Sequence, residues 1–498
     1  MAINDNELDQ MIEKSRKKVI PLTKSLLAGK ELKEHLKQLR IHELSLMKIE
    51  AEEKGKSEPK QLSTQRVAML LQENIKFILF DLEKGSKIAM YLADEGIYTQ
   101  NVGLIYRIIS WLEPTFDQKK CDTVIFHIKN ESEVTKKTAS RFLIPVNNGV
   151  YNLKTKTLES FKPDYVFTTK ITTNYVKHAK SPDIDGWNVD DWIKSIACND
   201  SEIELALWQT INESLNGSYT RDRAIFLIGD GANGKGTYHQ LLINLIGANN
   251  VAMLKLAQFE QRFMLSTLEG KTLVMGDENP SELNLIDSSN YNSVVTGDPV
   301  LVEFKNQQPF MAEYKCAVIQ SMNNLPTFNN KTDATERRML ILPFNAKFEG
   351  ENKNRDIKNE YLKNKEVLEY VLYKAINMDF EDFNIPKVSL KAMKNFKQDN
   401  DPIVDFKENV FDELELDVIP KRVLYEVYKE FCKNNGYKFK SMILFSKKFK
   451  ELLGNKWGDD RKYIEWLTIS KKLTDNQVFP DGIKPPNDRE RCFYIIKD

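Results

Sequence analysis

The chemistry of this chain concentrates in nine consecutive residues, Gly229-Asp230-Gly231-Ala232-Asn233-Gly234-Lys235-Gly236-Thr237. Glycines at this density let the backbone curl so that successive N–H groups point inward around an anion, and Lys235 adds a full positive charge suited to the β- and γ-phosphates of a nucleotide. Ala224–Ile228 before the loop is an apolar run expected to form a buried parallel strand. Tyr238–Ile246 after it has the apolar spacing of a helix, closed by Gly247. Strand, loop and helix in this order aim the positive end of a helix dipole at bound phosphate. Gly229, Gly231, Asn233, Gly234, Lys235, Gly236 and Thr237 are therefore the expected nucleotide-binding residues. Gly236 stands where a hydroxyl residue normally follows the lysine, so Thr237 is the hydroxyl left to reach a magnesium ion.

A second element follows at the right distance. Lys271–Gly276 is an apolar strand that delivers Asp277 and Glu278 at its C-terminal end, the edge of a parallel sheet where nucleotides bind. Transfer of a phosphoryl group to water needs one acid to hold the hydrated cation and another to orient or deprotonate the water. Asp277 suits the first task and Glu278 the second. Further on, Thr296-Gly297-Asp298-Pro299 leads into Val300–Phe304, a polar turn at Lys305–Gln308 and Pro309–Tyr314, a hairpin with a cationic tip. Ala317–Ser321 is another apolar strand, and it ends at Met322-Asn323-Asn324-Leu325-Pro326, where an amide could sense the γ-phosphate. Ala334-Thr335-Glu336-Arg337-Arg338 precedes the strand Met339–Phe344. Arginines in that position suit a finger that reaches a neighbour's nucleotide.

In this order and spacing the motifs resemble those of the superfamily-three helicases of phages, phage satellites and plasmids, and of the poxvirus-type helicase–primases. The resemblance covers about Ser63 to Phe344, because Ile144-Pro145 through Asn148-Gly149-Val150 to Tyr165 looks like the domain that precedes the motor in that family. It implies an AAA+ motor using ATP and Mg²⁺, with Lys235 and Thr237 on nucleotide and metal and Asp277 with Glu278 as the Walker B pair. Asn323 would be the sensor, Arg338 or Arg337 the trans-acting finger, and Lys305 the DNA contact on the hairpin. It also implies a homo-oligomeric ring, usually a hexamer, that translocates on single-stranded DNA. Many relatives carry an N-terminal primase. No carboxylate motif for one stands in this chain, so a separate primase is an expected partner.

These residues need elements to position them. At 498 residues the chain has room for two to four domains. Lys+Arg and Asp+Glu balance at 72 each, so any nucleic-acid surface must be local. Five cysteines lie far apart without a Cys-x-x-Cys pair, which argues against structural zinc and suits reduced thiols in a cytosol. Neither a signal peptide nor a membrane-spanning run is expected. The patterns divide the chain into a charged helical arm at 1–62, including the Arg16-Lys17-Lys18 run, and a mixed α+β region at 63–185. The helicase core is expected at 186–345, a helical segment and linker at 346–400, and a winged-helix-like domain at 401–498.

Within these regions Val67–Glu83 is expected as a helix, Ile88–Tyr98 and Phe142–Leu153 as hairpins, and Lys391–Asp401 as a linker. In the last region, Val423–Asn435 and Ser441–Leu453 are expected helices, and Tyr463–Ile469 and Cys492–Ile496 the strands of a wing. Nine Lys/Arg against two acids between Lys421 and Lys450 make a local phosphate footprint. Lys447, Lys448 and Lys450 lie on the helix expected to read a duplex groove.

The fold class expected is thus α/β: a P-loop core, a mixed α+β region before it and a winged-helix-like domain after it. The expected function is an ATP-dependent DNA helicase or replication initiator of a mobile element in a bacterial host cytoplasm. Its partners would be single-stranded and forked DNA, with origin duplex for the tail. Two alternatives stay open: an initiator in which ATP binding drives assembly only, and a small-molecule kinase.

Overall fold

The computed structural model describes residues 27–83, 85–280, 284–285, 288–305, 308–328, 337–350, 353–435, 437, 439–479 and 482–496. Arg16, Lys17 and Lys18, the hairpin tip at Asn306 and Gln307, the run Ala334–Glu336, and Lys438 are expectations that lie outside the described residues.

The organising element is a parallel five-stranded sheet. Its strands, in chain order, are β1 (Ala224–Ile228), β2 (Val251–Met253), β3 (Leu273–Asn279), β4 (Ala317–Met322) and β5 (Met339–Pro343), and they lie side by side in the order β5-β1-β4-β3-β2. Near-continuous apolar runs are what a sheet covered on both faces requires. Alternate side chains supply two cores. Ile225, Leu227, Met275, Ile319 and Leu340 face one, and Ala224, Phe226, Val274, Val318 and Met339 face the other. Helix α1 (Lys235–Ile246) follows β1 directly and buries Leu241, Leu242 and Leu245 in the first core.

That first core reaches well beyond the sheet. It includes Ile144, Val146 and Tyr151 from the antiparallel strands Leu143–Val146 and Gly149–Asn152, Trp192 and Ile193 from the helix Val189–Ile196, and Val367 and Val371 from the helix Lys365–Ile376. The Asn147-Asn148 hairpin forms as expected, and it packs on the central unit rather than standing apart; Tyr151 Oη donates to Asn377 Oδ1 at 2.7 Å. The second core takes in the root of the hairpin Val300–Val302/Phe310–Ala312 through Val300 and Val302.

Further toward the N-terminus, helices Gly29–Glu53, Thr64–Asn74, Val102–Leu112 and Gln118–Glu131 enclose a separate core. The buried Glu113 carboxylate joins them, accepting from Arg40 at 3.0 and 3.1 Å, from the Leu62 amide at 3.1 Å and from Thr115 at 2.7 Å. The helix expected over Val67–Glu83 stops at Asn74. Phe77-Ile78-Leu79 instead forms a strand paired with Ala89–Leu92, because three consecutive apolar residues that are all buried suit a pleated ladder.

The C-terminal region folds around a fourth core. Its sheet is antiparallel, with Arg489–Ile495 in the middle, Val418–Pro420 on one side and Trp457–Tyr463 on the other. Helices Lys421–Asn434 and Met442–Leu453 form as expected. The strand expected at Tyr463–Ile469 is misplaced: the strand ends at Tyr463, and Trp466–Asp475 is a helix that buries Ile469 and Leu473, one turn apart. The expected linker Lys391–Asp401 is also helical, within Lys387–Asn400. Its lysines disguised an apolar side on which Phe396 is buried in the second core and Met393 packs against it.

One glycine in β3 is fixed by its neighbours. A Cβ on Gly276 would stand 1.9 Å from Gln320 Oε1 and 2.8 Å from the Leu254 carbonyl, both parts of a buried hydrogen-bonded set. Gly276→Ala is expected to lower stability by about 1–3 kcal/mol, measured as a lower urea midpoint; an unchanged midpoint would mean the strand tolerates the methyl group.

Candidate active site

The loop after β1 takes its shape from two constraints. Gly234, immediately before α1, has φ +92°, a conformation that side chains strain. Gly229 lies against β5's extension, where a Cβ would come within 2.3 Å of the Phe344 carbonyl. The Gly229 amide donates to Met322 O at 3.2 Å, so Gly229 shapes the start of the turn. Buried Asn233 braces the loop, with Nδ2 donating to the Phe344 carbonyl at 3.0 Å.

Lys235 folds back over its own loop. Its ammonium donates to the carbonyl of Gly229, to that of Asp230 at 3.3 Å and to Asn233 Oδ1 at 3.3 Å. Burial pushes its pKa down, opposed by the charges of Asp230 and Asp277. Carbonyl dipoles only partly replace an anion here, so phosphate oxygens would be stronger partners.

Across from the loop, β3 carries a bulge. Gly276 pairs with Gln320 and Asn279 with Met322, leaving Asp277 and Glu278 opposite Ser321 alone. The extra residue kinks the strand and re-aims its side chains; Glu278 takes φ +50° there. Asp277 Oδ1 accepts from Ser321 Oγ at 2.5 Å and from the Glu278 amide at 3.0 Å. Glu278 is exposed, and among the described residues its carboxylate makes no hydrogen bond or ion pair. The bulge is held from behind by Asn279, whose Nδ2 donates to Gln320 Oε1 at 3.0 Å and to Ser321 O at 3.2 Å and whose Oδ1 accepts from the Leu256 amide at 3.0 Å. Gln320 completes the set by donating to Leu254 O at 3.1 Å.

Between loop and bulge lies a cavity of about 530 Å³. Gly231, Asn233, Gly234, Lys235, Gly236 and Thr237 line one wall; Asp277, Glu278, Ser321 and Asn323 line the other. A second cavity of about 430 Å³ adjoins it, lined by Trp192, Phe348 and Ile357 and by the shared wall Gly234, Thr237 and Lys358. These residues fit a polyphosphate with a divalent cation. The glycine-rich loop and Lys235 line the wall where an anion would lie, and Thr237, Asp277 and Glu278 bring oxygens suited to a hard cation to the same cavity. No group of three or more His, Cys, Asp or Glu among the described residues could hold a metal alone, so phosphate oxygens and water would complete the shell.

Four participants were not visible in the motifs. Ser321, Gln320 and Asn279 fix the acids; two polar residues ending an otherwise apolar β4 were the available signal. His239, two residues past Thr237 on α1, is buried with both ring nitrogens unpartnered, its Nδ1 3.5 Å from Asp277 Oδ1.

The other expected site residues lie elsewhere. Arg337 and Arg338 precede β5, where the Arg338 carbonyl accepts from the Ala224 amide at 2.7 Å. They are at the opposite sheet edge from the loop, about 16 Å along five strand residues. Lys305 is exposed beside the hairpin tip, whose strands are joined by stacking of Phe304 on Phe310. In the C-terminal region only Lys447 of its trio is fully exposed. Lys448 pairs with Asp401, and Lys450 donates to the carbonyls of Trp457 at 2.6 Å and Gly454 at 3.1 Å.

The chain matches three family profiles: "D5 N terminal like" over residues 5–196, "Family of unknown function (DUF5906)" over 227–338 and "Poxvirus D5 protein-like" over 398–482. A protein of Acanthamoeba polyphaga mimivirus, provisionally named helicase L207/L206, is 25% identical over 217 residues, 42% of this chain. The matched part spans 22% of that relative's length. Among solved structures, the apo C-terminal region of NrS-1 aligns with 88% of this chain and 100% of its own at 13% identity and a TM-score of 0.51, which shows a shared fold. No helix among the described residues is long and apolar enough to cross a membrane.

His239 gives the site a measurable signature. Burial pushes its pKa from 6.5 down to about 4, reinforced by the charges of Lys235 and Lys358 and opposed by Asp277. The unfolded chain takes up the proton first. His239's contribution to stability is therefore full above pH 6.5 and is lost as pH drops toward 4, a loss of about 3 kcal/mol. His239→Leu should flatten this part of the urea-midpoint profile; a slope equal to that of the wild type would contradict it.

Proposed function

We propose that this chain, a relative of the D5-type helicase–primases, is an ATP-dependent DNA helicase of a mobile element's replication machinery. The observation that carries the reading is a cavity with a glycine-rich loop and Lys235 on one side and the Asp277–Glu278 bulge on the other, at the C-terminal edge of a parallel β5-β1-β4-β3-β2 sheet. That strand order suits an AAA+ motor. A kinase would need neither the exposed Lys305 hairpin nor a lysine-bearing C-terminal domain.

In this reading the triphosphate of ATP lies along the loop amides, and Lys235 exchanges its carbonyl partners for phosphate oxygens. Thr237 and Asp277 would hold a Mg²⁺ ion, which when bound would supply charge neutralisation to the phosphates. Ser321 keeps Asp277 turned toward the cavity. Glu278, unengaged and exposed, accepts the proton of an attacking water whose oxygen bonds to the γ-phosphorus as the bond to the ADP oxygen breaks. Asn323, on the same wall, orients that water. Arg338 or Arg337 lies too far from its own cavity to act there and serves the neighbouring subunit of a ring, a hexamer in this proposal.

Lys305 hairpins projecting from each subunit track one strand of DNA. The C-terminal region, with a helix–strand arrangement suited to a winged helix, presents Lys447 to duplex DNA, while Lys448 and Lys450 hold its fold together. The bacterial host cytoplasm is the proposed setting.

Strand displacement on a forked DNA substrate tests this directly. Wild-type protein should unwind with ATP and magnesium. Glu278→Gln should bind ATP yet unwind at least 100-fold more slowly, and Lys305→Ala should hydrolyse ATP without unwinding. Unwinding by Glu278→Gln at the wild-type rate would remove the acid from the mechanism.

A further inference from the structure

The cavity has a cation that neither the glycine loop nor the acids supply. Lys358 belongs to a short helix, Asp356–Asn359, that follows the last sheet strand in sequence. It lines both the loop cavity and the cavity behind it. Its ammonium stands 3.8 Å from where a Cβ on Gly236 would be. Gly236 is the position at which the loop lacks the expected hydroxyl side chain, so the ammonium faces bare backbone at the start of α1. Among the described residues Lys358 has no hydrogen-bond or ion-pair partner.

The mount beneath it is firm. Ile357 packs against the first core, Leu362 is fully buried within it, and Asn244 of α1 donates to the Leu362 carbonyl at 2.7 Å. Lys358 is thus carried by a segment tied to the same helix whose N-terminus faces the phosphates. Its place in the cavity also has a direction. The acids and Asn323 mark the end where the γ-phosphate reacts. Lys358 marks the other side, on the wall shared with the second cavity, where Trp192, Phe348 and Ile357 offer apolar faces to a nucleobase and Lys353, Asn354 and Arg355 offer polar and charged groups to a ribose or its phosphate.

We infer that Lys358 is a second phosphate-binding cation of this site, acting within its own subunit on the α- and β-phosphates where Gly236 leaves the loop without a side chain. The inference rests on the nucleotide reading above. It gives the site two lysines with different tasks: Lys235 toward the reacting end of the triphosphate and Lys358 toward the nucleoside.

Equilibrium binding of fluorescent ATP and ADP analogues with magnesium, to full-length protein, tests it. Lys358→Ala should weaken both nucleotides at least tenfold, Lys358→Arg should restore them, and the ligand-free melting temperature should stay unchanged. Equal binding by Lys358→Ala and wild type, with binding lost in Lys235→Ala, would overturn the inference and leave the site standing. Loss for ATP but not ADP would overturn the assignment to the α- and β-phosphates, and a Lys358→Arg variant as weak as Lys358→Ala would show that charge is not what matters. Undiminished binding by Lys235→Ala would instead overturn the reading of the site itself.

Discussion

The arrangement depends on strand register. Parallel pairing sets Ile228 level with Met322 and Pro343, so the loop, the acid-bearing strand and the Asn323 turn all emerge at one edge. The bulge in β3 then adds one residue, and that residue turns two adjacent acids toward the loop. A buried amide set behind it, Asn279 with Gln320 and Ser321, satisfies the polar groups that the bulge frees from the ladder. Each buried polar group left unpaired there would cost about 1–3 kcal/mol, and this is why the bulge that carries the acids is held by hydrogen bonds rather than by packing alone.

Charge is distributed with the same economy of position. The loop edge holds Lys235 and Lys358, one turned onto carbonyl oxygens and one without a partner, while His239 beneath them is kept neutral by burial. The opposite edge holds Arg337 and Arg338. In the proposed ring, a nucleotide bound at one sheet edge would meet arginines from the opposite edge of a second copy.

Much of this was legible in sequence because the elements involved are local. Ala224 to Gly247 is a strand, a loop and a helix written consecutively, and the Asp277–Glu278 pair ends an apolar run. The hairpin around Lys305 was equally plain. What stayed hidden depended on contacts between distant segments. Nothing near Lys358 marks it as a neighbour of Gly236, and Ser321 gains meaning only once β4 lies beside β3. The errors have physical causes too. Trp457–Tyr463 is a polar edge strand without the apolar run that marks a core strand, whereas the apolar residues just after it, spaced one turn apart, belong to a helix. The lysines of Met442–Leu453 looked alike in sequence, yet Lys448 and Lys450 turn to Asp401 and to carbonyls and only Lys447 faces outward.

In the proposed function, phosphate chemistry in the loop cavity is coupled to a DNA strand. The most direct measurement is the steady-state rate of ATP hydrolysis as single-stranded DNA is titrated in. Magnesium-dependent hydrolysis should rise and saturate with single-stranded DNA. Hydrolysis that ignores DNA, or accelerates only with a small phosphate acceptor, would contradict that coupling.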